Sequence, residues 1–362
     1  MSDTDIRVVT GPANYFSFPG AIERLADFYS PQQLQHALWI YGERALNAAK
    51  AFLPEDFSDP QATRVLFKAH CSENEVQRIT GIAGDDRQVV IGIGGGAVLD
   101  TAKVVARKLG LPVVAIPTIA ATCAAWTPLS VWYNDEGVAL NYEIFNDANH
   151  LVLVEPQIIL QAPKEYLLAG IGDTLAKWYE AVVLCPQPQS LPLTAQLGLN
   201  TALTIRDILL NESEAALQAQ SEGHLSKPLI NVIDAIIAGG GLVGGLGERY
   251  TRIAAAHSVH NGLTALPQTD VFLHGTKVAY GILVQSALLK QFDVVSQLIA
   301  LYQRLELPVS LAQLQVDIHD RQQVSRLIER TLKAGESIHL LPNQPNAESL
   351  AAALEYVEKQ AN

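Results

Sequence analysis

Up to about residue 155 the sequence alternates short apolar runs with amphipathic ones, and this alternation constrains the fold more than any other feature. IRVVTG, ALWIYG, RVLFKA, QVVIGIGGG, PVVAIPT, LSVWYN and HLVLVE read as strands, while ENEVQRITGIAG and AVLDTAKVVARKLG between them carry apolar residues at helical spacing. Strands separated by helices are the pattern of a mostly parallel sheet covered by helices. LSVWYNDEGVALNYE departs from it and reads as a hairpin turning at Asp135, Glu136 and Gly137.

Beyond Pro156 the strand signals fade. KEYLLAGIGDTLAKWYEAVVL, PLTAQLGLNTALTIRDILLN, LINVIDAIIAGG, TKVAYGILVQSALLKQ and ESLAAALEYVEKQ are long amphipathic or wholly apolar helical runs. With 362 residues there is chain enough for two cores. The expected organisation is an α/β N-terminal domain over residues 1–157, with a mostly parallel sheet, and an all-α C-terminal domain over 158–362. No linker rich in Ser or Gly separates them, and no repeat or low-complexity tract stands out.

Charge narrows the partners. Twenty-five basic against 37 acidic residues leave a formal charge of -12, so the overall field opposes nucleic acid and anionic membrane, and an acidic substrate must be held by local cations. MSDTDIRVVTG lacks a basic and then apolar leader, which makes the cytoplasm the expected location. The most apolar stretch, LINVIDAIIAGGGLVGGLG, is broken by Asn231, Asp234 and its glycines, which argues against a membrane span. Cys71, Cys123 and Cys185 stand far apart with no CxxC, so neither a disulfide framework nor a thiolate metal site is indicated.

Glycine clusters and a scattered set of polar residues bear on chemistry. In IGIGGGAVLDTAKVVA a strand runs into Gly94, Gly95 and Gly96 and opens a helix whose first turns carry Asp100 and Lys103. Glycines there let the backbone approach a pyrophosphate, and the free N–H groups of the helix start point at the anion; a tight strand-to-helix turn without a ligand accounts for them equally well. The spacing is neither GxGxxG nor a GxxxxGK[ST] loop. The second glycine cluster, AGGGLVGGLGERY, follows no strand and reads as close helix packing.

The scattered set is Asp173 in GIGDTLAKWYEA, His257 and His260 in AAAHSVHNG, and His274 in FLHGTKVAYG. All lie in runs low in charge, where an unpaired carboxylate or imidazole is costly to bury. A divalent ion bound by carboxylate and imidazoles would remove that cost, as would ordinary core hydrogen bonds. PTIAATCAAWTPLS, after the strand LPVVAI, adds a loop of small and hydroxyl residues whose Cys123 is open to roles as nucleophile, metal ligand or small neutral filler.

GPANY, HCSENEV, GGGAVLDTAK, PTIAATCAAWTPLSVWY, GIGDTLAKWYEA, AAAHSVHNG and HGTKVAYG together, in this order and spacing, resemble the glycerol dehydrogenase branch of the iron-containing alcohol dehydrogenase superfamily, and within it a hydroxycarboxylate dehydrogenase subgroup that reduces small 2-oxo acids. The resemblance implies the fold shared with dehydroquinate synthase: a dinucleotide-binding α/β domain, a helical domain, and a catalytic divalent metal in the cleft. Carried over by position, the metal ligands are Asp173, His257 and His274. Gly94, Gly95 and Gly96 hold the pyrophosphate of NAD or NADP, with Asp100 and Lys103 nearby. Thr118, Thr127, Leu129 and Tyr133 line the cofactor, Glu43 falls near the adenosine ribose, and His260 lies close to the nicotinamide. A homo-oligomer is implied by the same likeness.

Two positions depart from the family pattern. Lys177 stands where the iron-dependent branch has a fourth ligand, a histidine; a protonated lysine cannot ligate, and three protein ligands favour zinc over iron. Lys177 is four residues from Asp173 on one helix face, placed to meet a substrate carboxylate or to pair with Asp173 or Glu180. Cys123 stands where glycerol dehydrogenases resemble one another in a substrate-side aspartate. A neutral thiol removes an acceptor that a polyol would use and a charge that would repel an acid. The expected activity is therefore metal-dependent, NAD(P)H-linked reduction of small 2-oxo acids such as 2-oxobutyrate or 2-oxoglutarate to 2-hydroxy acids. A glycerol or other polyol dehydrogenase and a dehydroquinate synthase-like lyase are the alternatives.

Overall fold

The computed structural model describes residues 6–361, which form two compact units. One spans Val9–Pro163 and includes Ala219–Gly245; the other holds Lys164–Gln218 and the chain from Leu246 on. The stretch Ala219–Gly245, which a single boundary near residue 157 would assign to the helices, thus packs with the sheet.

The eight strands among the described residues lie in the first unit: β1 (Asn14–Ser17), β2 (Ala37–Tyr41), β3 (Thr63–Leu66), β4 (Val89–Gly94), β5 (Val113–Pro117), β6 (Leu129–Tyr133), β7 (Ala139–Ile144) and β8 (Leu151–Val154). Six form a parallel sheet in the order β1-β8-β5-β4-β2-β3, while β6 and β7 make the expected hairpin, with Gly137 at positive φ in its turn. Alternation along β4 sorts the core. Val89, Ile91 and Ile93 join Trp39, Val114, Ile116 and Leu153 on one face. Val90 joins Leu38, Ile40 and Val65 on the other, under helices Glu73–Ala83 and Gly96–Leu109. A Cβ at Gly92 would fall 2.8 Å from that of Ala102, so glycine here lets the second helix lie directly on the sheet.

IRVVTG, expected as a strand, is not one. The edge beside β8 is taken by NYFS, and the Val9 amide donates instead to the carbonyl of Gly245. That contact also explains the second glycine cluster: a Cβ at Gly245 would lie 2.4 Å from the Val9 carbonyl oxygen, and one at Gly241 would enter the Trp126 ring. The glycines do serve close packing, against a chain segment and an indole rather than another helix. Lys227–Thr251 is apolar and long enough to cross a membrane by composition, yet it is ordinary core in large part: just over half of its most apolar window (56%) is buried. Its Asp234 accepts from the Tyr15 hydroxyl at 2.7 Å, where a π turn, Ala235–Gly239, begins.

The second unit is helical, with no strand among its described residues. Its central element is His274–Leu288, apolar on all sides and buried from Lys277 to Leu288. Helices Lys164–Leu184, Ala255–Leu263 and Ala347–Ala361 surround it. Leu193–Ser221 as far as Gln218, Phe292–Leu305 and Arg321–Thr331 are further helices of this unit, and the sequence reading did not single out the last two.

Candidate metal and cofactor sites

Two glycines bring the candidate ligands together. Where helices Lys164–Leu184 and His274–Leu288 cross, a Cβ at Gly275 would lie 1.9 Å from the Ala169 carbonyl oxygen, and one at Gly172 would lie 2.5 Å from that of Gly275. Their neighbours in sequence are Asp173 and His274. A third close approach, Gly281 on Ala256, seats helix Ala255–Leu263 and with it His257. Asp173, His257 and His274 each offer an atom within 4.8 Å of the others. Asp173 Oδ1 is 3.2 Å from His274 Nε2 and 3.5 Å from His257 Nε2.

The donor chemistry fits a divalent cation. Asp173 Oδ1 is buried, and the two imidazoles meet it as ion-pair partners rather than as aligned hydrogen-bond donors. Burial alone would raise the Asp173 carboxyl, but His257, His274 and the nearby Lys177 hold it well below the usual range. Burial likewise opposes charge on His257, yet the carboxylates of Glu180 and Asp173 prevail and push it up to about 9. Carboxylates that hold a proton so firmly on the neighbouring imidazole would favour a metal ion in its place.

Glu180 is the functional residue that sequence reasoning missed, having weighed it only as a partner for Lys177. Its Oε2 is 2.7 Å from His257 Nδ1, and its Oε1 accepts the backbone N–H groups of Ala254 and His257 at the start of helix Ala255–Leu263. A carboxylate only accepts, so Nδ1 carries a proton held by Glu180, and Nε2, on the side of Asp173, is the nitrogen that would give up its proton to a metal. The available signal was the seven-residue step from Asp173 to Glu180, two turns along one helix face. The other imidazole, His274, has a side chain 44% exposed against 9% for Asp173, so the cluster is open on one side, as a catalytic rather than structural metal centre requires. His260 lies 2.9 Å from His274, with both ring nitrogens engaged; burial and the charges of His274, His257 and Lys277 press it toward the neutral form.

The residues expected around a dinucleotide lie in the sheet unit. Gly94 ends β4, and Gly95 and Gly96 open helix Gly96–Leu109, whose first turn has no side-chain cap on its N–H groups. None of the three has positive φ. A Cβ at Gly94 would strike Val98 and one at Gly95 would strike Ile119, so tight packing is one reason for them; Gly96 has ordinary room. Glu43 and Arg44, both exposed, begin the helix after β2, which pairs in parallel with β4 and therefore ends on the same side of the sheet.

Asp100 and Lys103, expected near the pyrophosphate, follow the glycines on helix Gly96–Leu109. Both are buried, 2.8 Å apart, and the ammonium also donates to the carbonyls of Ala124, Thr127 and Leu129, while Asp100 accepts from Val131. They brace the loop ahead of β6. Thr127 and Leu129 supply backbone carbonyls to that brace, Thr118 is buried with its amide on Gly94, and Tyr133 donates its amide to Cys71. Cys123 is half-buried in the same loop, where its carbonyl accepts from Trp126 and Thr127.

Fold and site together define an oxidoreductase of the class that works with a nicotinamide cofactor and a divalent metal. The chain belongs to the iron-containing alcohol dehydrogenase family, whose model matches residues 12–156. It is 63% identical to hydroxycarboxylate dehydrogenase A of Escherichia coli (strain K12) over 99% of both chains, and 33% identical to the glycerol dehydrogenase of Escherichia coli O6:H1 over 96% and 95% of the two. Among solved structures it resembles the glycerol dehydrogenase of Schizosaccharomyces pombe, with a TM-score of 0.86 and 27% identity over 99% of this chain and 91% of that one. A probable glycerol dehydrogenase from Sinorhizobium meliloti 1021 gives 0.85 and 26% over 98% and 99%.

Proposed function

We propose that the protein is a zinc-dependent, NAD(P)H-linked reductase of small 2-oxo acids, acting reversibly on the corresponding 2-hydroxy acids. The observation that carries the substrate class is the 63% identity to hydroxycarboxylate dehydrogenase A over 99% of the chain, and Lys177 supports it, standing one turn from Asp173 on the same helix, where its charge helps lower that carboxyl. A cation there gives a substrate carboxylate a partner in a chain whose net charge is -12. Asp173, His257 and His274 would hold the ion, and Lys177 in place of a fourth ligand favours zinc. Bound there, the ion would act as a Lewis acid on a ketone oxygen, and the nicotinamide would supply the hydride.

The chain's own residues do the rest. Glu180 keeps His257 in its metal-binding tautomer. The uncapped helix start at Gly95 and Gly96 offers N–H groups to a pyrophosphate. Glu43 would accept from a free ribose 2′-OH, whereas Arg44 beside it would meet a 2′-phosphate, so the cofactor assay is run with both forms. Cys123 would offer a substrate a neutral thiol where glycerol dehydrogenases resemble one another in an aspartate. The likeness to hydroxycarboxylate dehydrogenase A supports this reading, and the likeness to glycerol dehydrogenases supports the rival one of a polyol substrate. Two substitutions separate them. Lys177→Met should lower kcat/KM for 2-oxo acids by about 10–100-fold, the loss of one charge-assisted hydrogen bond, with little effect on an uncharged ketone. Cys123→Asp should weaken acid turnover and improve that of polyols; unchanged selectivity in both variants overturns the assignment.

A further inference from the structure

The hydrogen bonds behind His274 have one consistent direction. Arg330 donates from Nη1 to Glu336 Oε1, and the paired carboxylate, with a side chain only 12% exposed, can only accept. Asn261 must therefore turn its amide Nδ2 to Glu336 Oε2, at 2.9 Å. Its Oδ1 then faces His260 Nδ1 at 3.0 Å, which must carry the ring proton. His260 Nε2 is left as an acceptor, so His274 Nδ1, 2.9 Å away, must donate to it. Each bond along the chain then has one direction, and Nε2 is left as the His274 nitrogen on the side of Asp173, 3.2 Å from its Oδ1, where it would give up a proton to a metal.

We infer that Asn261, Glu336 and Arg330 are positioning residues that act through His260 to hold His274 in the tautomer presenting Nε2 to a metal. The inference rests on the reading of Asp173, His257 and His274 as a metal site, and it gives that site a matched pair of supports: Glu180 behind one imidazole, the four-residue chain behind the other. Because a side-chain amide does not pass a proton on, the chain sets a tautomer and is not a proton wire. His260 is thereby a positioning residue as well, with no free nitrogen for a substrate. The helix Arg321–Thr331 and the turn after it, remote in sequence from every ligand, take part in metal binding through this route.

The test is zinc affinity, measured by competition with a chromophoric chelator on the full chain without substrate, together with the ¹⁵N shifts of the imidazole nitrogens. Asn261→Leu and Glu336→Gln should each weaken zinc about 10–100-fold while the metal-free proteins keep a cooperative melt. His260→Gln, whose amide oxygen replaces Nε2 as acceptor, should bind zinc nearly as the parent does; His260→Leu should not. The spectra should show the His274 proton on Nδ1. Parent-like zinc affinity in Asn261→Leu and Glu336→Gln overturns the inference, as does loss of zinc in His260→Gln as complete as in His260→Leu. Should one of these variants fail to fold, the remaining ones decide by the same criterion. Asp173→Asn is the control: if it too binds zinc like the parent, the metal site itself is misassigned, and the failure lies there.

Discussion

Replacing Gly275 with alanine tests how the candidate site is built. The added Cβ would stand 1.9 Å from the Ala169 carbonyl oxygen, 2.7 Å from its carbon and 3.0 Å from the Asp173 Cβ. The obstacle is mostly helix backbone, which cannot rotate out of the way as a side chain would. The two helices must part by roughly an ångström, a distortion of the overpacking kind that costs about 1–3 kcal/mol. Asp173 and His274 sit on opposite sides of that crossing, 3.2 Å apart. Metal–ligand distances tolerate about 0.2 Å, so the same shift should destroy high-affinity binding while the fold survives. Melting of the metal-free protein and zinc competition, measured on Gly275→Ala, give the two numbers separately. A variant that melts lower but binds zinc as tightly as the parent would refute the claim that the Gly172–Gly275 crossing sets the metal geometry.

Three further outcomes are expected. Glu180→Gln should reduce zinc affinity about 10–100-fold, because an amide can donate as well as accept and no longer dictates which His257 nitrogen is bare; chelator competition reads this directly. Thiol alkylation of the native protein near pH 8 should mark Cys123 alone: Cys71 is fully buried and pushed by that burial up to about 12, and burial also raises Cys185, so peptide mapping that found Cys71 labelled first would contradict the packing described. Removing the metal with a strong chelator should abolish turnover and lower the melting temperature, both restored by zinc; a metal that binds the folded state at a hundred times its Kd adds about 2.7 kcal/mol.

Much of this architecture is readable in the sequence because its physical basis is local. Buried parallel strands must be apolar on both faces, and β2, β4, β5 and β8 declare themselves as short aliphatic runs. β1 does not: NYFS is a four-residue edge strand of mixed polarity, and the more strand-like IRVVTG beside it has its Val9 amide committed to Gly245. Asp173, His257 and His274 stand out as polar residues beside small ones in apolar helices, and they do converge, but the reason lies in interhelical contacts of Gly172, Gly275 and Gly281 that no local pattern displays. The supports are less legible still. Glu336 reaches Asn261 across 75 residues, and only the folded chain shows the link. Asp100 and Lys103 show what a linear pattern leaves out: charged residues near a glycine turn invite a ligand, and folding shows that this i, i+3 pair also meets itself and braces a loop.

The most direct measurement is oxidation of NADH and of NADPH by the zinc-loaded protein, run side by side with 2-oxobutyrate, 2-oxoglutarate, pyruvate and dihydroxyacetone. The account predicts turnover of the acids well above that of dihydroxyacetone, with one reduced cofactor preferred. Turnover of dihydroxyacetone alone would contradict it and return the protein to the polyol dehydrogenases.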